Sequence, residues 1–215
     1  MLCQKHENIL VIGYGTGTIV ETVLRTPTVK SVTMVELNEA VMVNLKKMPL
    51  FQKLLDDKRL NVVIDDGRRY LNSVNTKYDV VLMDPLRSST AYSNNIYSRE
   101  FFEIIKAHLN DGGVLMVWLD NLDVIPKTLT TVFKHMRLDH SFCIVSDSEL
   151  ALDQSLKDEM LKTYTSEEQK LLSVNEHYLG DESYVKEMTR DFPINTDLKP
   201  VTEYHLGQLL HATRK

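Results

Sequence analysis

Short, uninterrupted apolar runs alternate along this chain with stretches whose apolar residues recur every three or four positions. Within Asn8 to Ile12 (NILVI), Ile9 to Ile12 is of the first kind, and Thr18 to Arg25 is of the second, with Ile19, Val20, Val23 and Leu24 at helical spacing. An all-apolar run predicts a strand buried on both faces, whereas the spaced pattern predicts a helix with one buried stripe. The alternation continues. SVTMVEL is the second strand, Asn38 caps a helix that runs to about Lys47 and stops at Pro49, and FQKLLDD adds a short helical turn. RLNVVID is the third strand, DGRRYLNSV a turn and helix, and YDVVLMD the fourth strand. A polar loop then spans Pro85 to Tyr97, Ser98 caps the helix REFFEIIKAHL, and DGG closes that helix and opens a fifth strand, VLMVWL. VIPKTLTTVF predicts one more helix, and KHMRLDHSFCIVSD two short strands joined at Asp139 and His140, an antiparallel end to the sheet.

Strands alternating with helices imply right-handed crossovers, a parallel sheet and a ligand crevice at the carboxyl ends of the strands. From Glu149 to about Asn175 the pattern becomes charged and helix-favouring, without strands, as in LKDEMLKTYTSEEQKLL. It reads as an amphipathic helix pair on the sheet or at a subunit contact. FPINTDLKPVTEYHL is rich in turn residues and predicts irregular structure. With no internal repeat and no long linker, residues 1–148 are read as the core and 149–215 as a helical extension and tail of the same domain.

Composition narrows the function classes. The chain has 215 residues, 43% hydrophobic and 26% charged, which suffices for a sizeable core. No apolar run approaches the roughly 18 residues of a membrane span, and no secretory leader pattern opens the sequence, so a cytoplasmic protein without a membrane span is expected. A net charge of −5 with interspersed signs lacks the basic stripe of a nucleic-acid binder. Cys3 and Cys143, the two cysteines, have no CxxC spacing, and the seven histidines show no HxxxH or HExxH pattern. Reduced thiols and no metal are therefore expected.

Chemistry concentrates at strand ends. Gly13, Gly15 and Gly17 stand at alternate positions between the first strand and the first helix. Glycine weakens the interior of either element, so a cluster at their junction marks a turn that other residues cannot make, or a ligand pressed against bare backbone. A tight turn with nothing bound satisfies the glycines alone. The second strand, however, ends in Glu36, about 20 residues further on, where a carboxylate can accept from both hydroxyls of a ribose. A solvated strand end is the other reading of Glu36. A nicotinamide dehydrogenase fits poorly, because GxGxxG would place its last glycine at Thr18.

Taken in order and spacing, ILVIGYGTGTIVETVL, VTMVELNEAV, VVIDDGRRYL, YDVVLMDPL and YSREFFEIIKAHLNDGGVLMV resemble the catalytic domain of spermidine synthases and the broader spermidine synthase-like group, over about residues 8 to 146. The resemblance implies an α/β, Rossmann-like fold of the class I S-adenosylmethionine-dependent methyltransferase type. That fold is a mostly parallel seven-stranded sheet with helices on both faces. The tail INTDLKPVTEY resembles the end of members fused behind membrane transporter segments.

By the same resemblance, Gly13, Tyr14, Gly15 and Gly17 hold a sulfonium nucleoside, Glu36 with Leu37 its ribose, and Asp66 with Gly67 its adenine. Asp84 is then the acid-base group that accepts from the attacking amine, although the residues alone also allow it to cap the Pro85 loop. Thr16, Arg87, Tyr92 and Tyr97 border the acceptor. The co-substrate is decarboxylated S-adenosylmethionine or S-adenosylmethionine, the acceptor is a small amine, and a homodimer is a compatible assembly.

Three departures from the family pattern stand out. Thr16 replaces an acid that helps to hold the cationic aminopropyl end. Arg87 replaces a second acid three residues after the catalytic one, and a guanidinium facing the pocket would repel a diamine, making putrescine a poor substrate. Arg87 pointing to solvent would have no such effect. The N-terminal β-hairpin domain of the family is expected to be missing, since the first sheet strand begins at Asn8. Three functions follow: an aminopropyltransferase, an S-adenosylmethionine-dependent methyltransferase, or a non-catalytic nucleoside-binding domain.

Overall fold

The computed structural model describes residues 5–15, 17–84, 87–120, 122–174 and 178–203. Its strands are β1 (Asn8–Ile12), β2 (Ser31–Glu36), β3 (Leu60–Ile64), β4 (Tyr78–Met83), β5 (Leu109–Trp118), β6 (His135–Asp139), β7 (Phe142–Ser146) and β8 (Tyr178–Asp181). The first-half helices are α1 (Thr18–Arg25), α2 (Glu39–Leu45), α3 (Pro49–Leu55), α4 (Gly67–Ser73) and α5 (Asn94–Tyr97). They are followed by α6 (Arg99–Ala107), α7 (Val124–Leu129), α8 (Gln154–Leu161), α9 (Ser166–Val174) and α10 (Glu182–Met188).

Among the described residues the strands form one sheet, ordered β3-β2-β1-β4-β5-β7-β6-β8. β1 to β5 pair in parallel, while β7 runs antiparallel to both β5 and β6. The apolar runs behave as the two-faced reading requires. In β1, Leu10 and Ile12 join one core layer with Val81 and Met83 of β4, beneath Leu71 of α4, Phe101, Phe102 and Ile105 of α6, and Ile125 and Leu129 of α7. Ile9 and Val11 face the other layer with Val80 and Leu82, against Val20, Val23 and Leu24 of α1 and Met42 of α2. The expected caps form: Asn38 Oδ1 accepts from Ala40 N at 3.0 Å, and Ser98 Oγ from Phe101 N at 3.3 Å.

Two expectations are corrected. The sheet has eight strands rather than seven, because Tyr178–Asp181 adds an antiparallel edge strand to β6. Four residues including a glycine, half-exposed at an edge, carry too little alternation to be read from sequence. The DGG segment also lies inside β5 rather than before it: Tyr78 pairs with Leu109, but Val80 pairs with Val114, so residues 110–113 bulge out opposite Asp79. Gly112 takes φ 75° there, and a Cβ on Gly113 would lie 2.8 Å from Asn110 O.

The C-terminal extension is fastened to the α1 face. Arg25 pairs with Glu168 of α9 at 3.2 Å and lies 5.0 Å from the ring centre of Tyr164. Among the described residues no helix is long and apolar enough to cross a membrane. Strand order reverses between β1 and β4, so the open crevice of the fold lies at their carboxyl ends.

Candidate active site

The turn that leaves β1 places three glycines at positive φ, and two of them also make room for a neighbouring side chain. Gly13, Gly15 and Gly17 have φ of 87°, 55° and 82°, a region that other L-residues avoid. At Gly15 a Cβ would lie 2.6 Å from Asp84 Oδ2, so bare backbone lets the carboxylate at the end of β4 reach the turn. At Gly17 a Cβ would lie 2.3 Å from the Tyr14 hydroxyl, so this glycine makes room for a neighbouring ring. That ring is buried beneath the turn, edge-on to Phe51 at 6.5 Å, and does not face the crevice. What Tyr14 presents to Glu36 is its backbone N–H rather than its side chain. Gly67 is also a packing residue, since a Cβ there would lie 2.7 Å from Ile12 Cγ2.

Glu36 ties the first two strand ends together. Its Oε2 accepts from Tyr14 N at 2.9 Å and its Oε1 from Asn38 N at 2.8 Å. Each oxygen retains a lone pair for a hydroxyl. The next side chain, Leu37, is 67% exposed, and Ile64 at the end of β3 is also exposed. Asp66 caps α4, its Oδ1 accepting from Arg69 N at 2.8 Å, while Oδ2 accepts from Asn95 Nδ2 of α5 at 3.1 Å.

Asp84 follows β4, its N–H donating to Ile12 O at 3.2 Å. Burial pushes its carboxyl pKa up from the ordinary aspartate value. Among the described residues no group donates a hydrogen bond to this carboxylate, so nothing offsets the cost of burying its charge. On the neighbouring strand Asp120, just past β5, accepts from Ser88 N at 2.9 Å and Ser88 Oγ at 2.7 Å. Tyr97, the last residue of α5, is fully buried. Its phenol is pushed up first by burial and then by the charges of Asp120 and Asp84.

Gly13, Gly15, Glu36, Leu37, Asp66 and Asp84 thus lie at or just after the carboxyl ends of β1 to β4, whereas the Tyr97 side chain is buried. Arg87 is exposed, and Tyr92 is 88% exposed at φ 66° with its N–H donating to Glu203 Oε1 at 2.8 Å. Thr16 lies outside the described residues. Sequence reasoning missed Asp120, Ser88 and Asn95. A polar residue closing the apolar run VLMVWL was the available signal for Asp120, whereas Ser88 and Asn95 lie in a polar loop where no pattern distinguishes them.

Residues 1–146 match the family described as the spermine/spermidine synthase domain. The polyamine aminopropyltransferase of Bacillus mycoides is 32% identical over 132 residues, which cover 61% of this chain and 48% of that protein. The chain spans about half the length of the curated relatives it matches. A spermidine synthase in complex with the transition state analogue AdoDATO superposes with a TM-score of 0.62 at 19% identity, over 86% of this chain and 68% of that one. Human methyltransferase-like protein 13 in complex with SAH gives a TM-score of 0.55 at 19% identity, over 75% and 82%.

Proposed function

Because the chain belongs to the spermine/spermidine synthase domain family, we propose that it transfers an aminopropyl group from decarboxylated S-adenosylmethionine to a small amine, with Asp84 as the acid-base group. The observation that carries this reading is the half-buried Asp84 carboxylate against the bare backbone of Gly15, at the point where strand order reverses. The residues fit a sulfonium nucleoside: a glycine turn without side chains, a ribose-facing carboxylate at Glu36, exposed apolar side chains at Leu37 and Ile64, and Asp66 beyond them.

The bound nucleoside supplies a carbon activated by a positively charged sulfur, with a neutral thioether as leaving group. The protein handles the proton. An alkyl amine arrives as an ammonium, and the Asp84 carboxylate takes one of its protons and frees the lone pair. The amine nitrogen then forms the C–N bond as the C–S bond breaks, and Asp84 releases its proton to solvent. Asp120, whose oxygens also hold Ser88, adds a second negative charge near Tyr97 that draws the cationic acceptor in.

Incubation with each sulfonium donor and a panel of amines, followed by mass spectrometry, tests the reading. Methylthioadenosine together with an aminopropylated amine is the expected product. S-adenosylhomocysteine would establish the methyltransferase instead, and no thioether from either donor would establish a binding domain.

Glu36→Ala is expected to weaken binding of methylthioadenosine by about 1–3 kcal/mol, since it removes a hydroxyl acceptor and leaves the Tyr14 and Asn38 N–H groups without their partner. Calorimetric titration reads this directly, and an unchanged affinity would remove the ribose assignment. At Arg87 the expected effect is small. An exposed guanidinium is screened by water and salt, so Arg87→Asp should change the putrescine KM by less than about tenfold. A larger gain in steady-state kinetics would mean that Arg87 turns into the pocket and repels diamines.

A further inference from the structure

The stretch from Asn195 to Glu203 lies beyond the residues that match the family, 1–146, yet it is hydrogen-bonded to Tyr92, Asn94, Tyr97 and Arg99 at and around α5. Asn195 is completely buried. Its Oδ1 accepts from Val201 N at 2.8 Å and Thr202 N at 3.3 Å, which folds the stretch upon itself. Its Nδ2 donates to Tyr97 O at 2.9 Å, its main-chain N–H to Thr128 Oγ1 of α7 at 2.9 Å, and its carbonyl accepts from Arg99 N at 2.9 Å. Next to it, Thr196 O accepts from Asn94 Nδ2 at 3.1 Å, and Glu203 accepts from Tyr92 N at 2.8 Å.

A second connection leads to the nucleoside side. Asp197 accepts two bonds from the Arg68 guanidinium, at 2.7 and 2.5 Å, and Arg68 also donates to Asn95 O at 3.2 Å. Asn95 in turn donates from Nδ2 to Asp66 Oδ2 at 3.1 Å. The helix these contacts hold, α5, is four residues long and cannot maintain its own conformation in water. One end of it meets Asp66, and the other carries Tyr97.

We propose that residues 195–203 are a strap that positions α5, with Asn195 and Asp197 as positioning residues, so that the nucleoside side and the acceptor side of the site are set by one element. The proposal rests on the transferase reading of the Asp84 site. A displacement of about 1 Å in such an element can slow a reaction by 100-fold without any change in the reacting groups. The two halves of the strap separate experimentally. Asn195→Asp retains the oxygen that closes the strap but loses the donor to Tyr97 O, whereas Asp197→Asn breaks an exposed ion pair and so spares the core.

Hydrogen exchange, calorimetry with methylthioadenosine, and steady-state kinetics on both variants test it. Exchange in residues 90–99 should accelerate about tenfold or more, with β1 and β4 unchanged. Asp197→Asn should weaken methylthioadenosine about three- to tenfold, Asn195→Asp should raise the acceptor KM about tenfold with a smaller change in kcat, and Asp197→Glu should restore most of the loss. Unchanged exchange in 90–99, or uniform acceleration across the sheet, would overturn the proposal. Local acceleration with unaltered affinity and KM would make the strap a stability element only, and would overturn it as well. If wild type transfers no aminopropyl group, the function has failed, while exchange and nucleoside affinity still decide the strap.

Discussion

Asp84→Asn is expected to lower turnover by about 100-fold or more while leaving methylthioadenosine affinity intact, as loss of a general base does. Asparagine fills the same space but cannot take a proton from an ammonium. Wild-type activity should also fall as pH drops through the raised carboxyl value, because the protonated acid cannot accept. Stability supplies an independent readout with the opposite sign. Burial raises the folded-state pKa, so below the ordinary aspartate value, about 3.9, both states are protonated and stability is undiminished. As pH rises through the interval up to the folded value, the unfolded chain loses its proton first and stability declines. At neutral pH the native state therefore carries an unfavourable charge, and Asp84→Asn should be more stable than wild type, with the difference vanishing below about pH 4. Denaturant titrations at neutral and acid pH measure both. If Asp84 were a structural cap of its loop, the substitution would destabilise instead. Equal turnover in the variant would remove the catalytic role.

The largest effect on stability is expected at Gly17. Gly17→Ala must place a side chain at φ 82° and drive its Cβ to 2.3 Å from the Tyr14 hydroxyl. A left-handed conformation costs a non-glycine residue about 1–2 kcal/mol and overpacking a filled core about 1–3, so a loss of about 2–5 kcal/mol is expected by urea denaturation. The Tyr14 ring has little freedom to retreat, since it is fully buried against Phe51. Its hydroxyl finds no hydrogen-bond partner among the described residues. Tyr14→Phe alone should therefore be neutral or stabilising, and Gly17→Ala should cost less in that background. A loss below about 1 kcal/mol for Gly17→Ala would instead assign this glycine to ligand approach.

Gly17 also illustrates where reading a sequence stops. Three glycines between a strand and a helix announce a turn that side chains would spoil, because φ above zero is a local property of the backbone. Which neighbour forbids each side chain is a tertiary fact: Asp84 at Gly15, the Tyr14 ring at Gly17. The strands β1 and β4 were legible because helices cover both their faces, so Ile9 to Ile12 and Val80 to Met83 are apolar without a break. The caps Asn38 and Ser98 were legible because capping acts within three residues. From these local signals, and from the resemblance they carry, came the sheet, its crevice, and the positions of Glu36, Asp66 and Asp84. β8 escaped notice because an edge strand of four residues is made by its partner β6 rather than by its own pattern. Asp120 and Ser88 are 32 residues apart, and Asn195 and Tyr97 are 98 apart, so only the folded chain brings them together. Local periodicity determined which elements form, because burial on a strand or helix repeats with the geometry of the element itself. The partners of Asp120, Asn95 and Asn195 were decided by tertiary packing, because a hydrogen bond between distant segments leaves no period in the sequence.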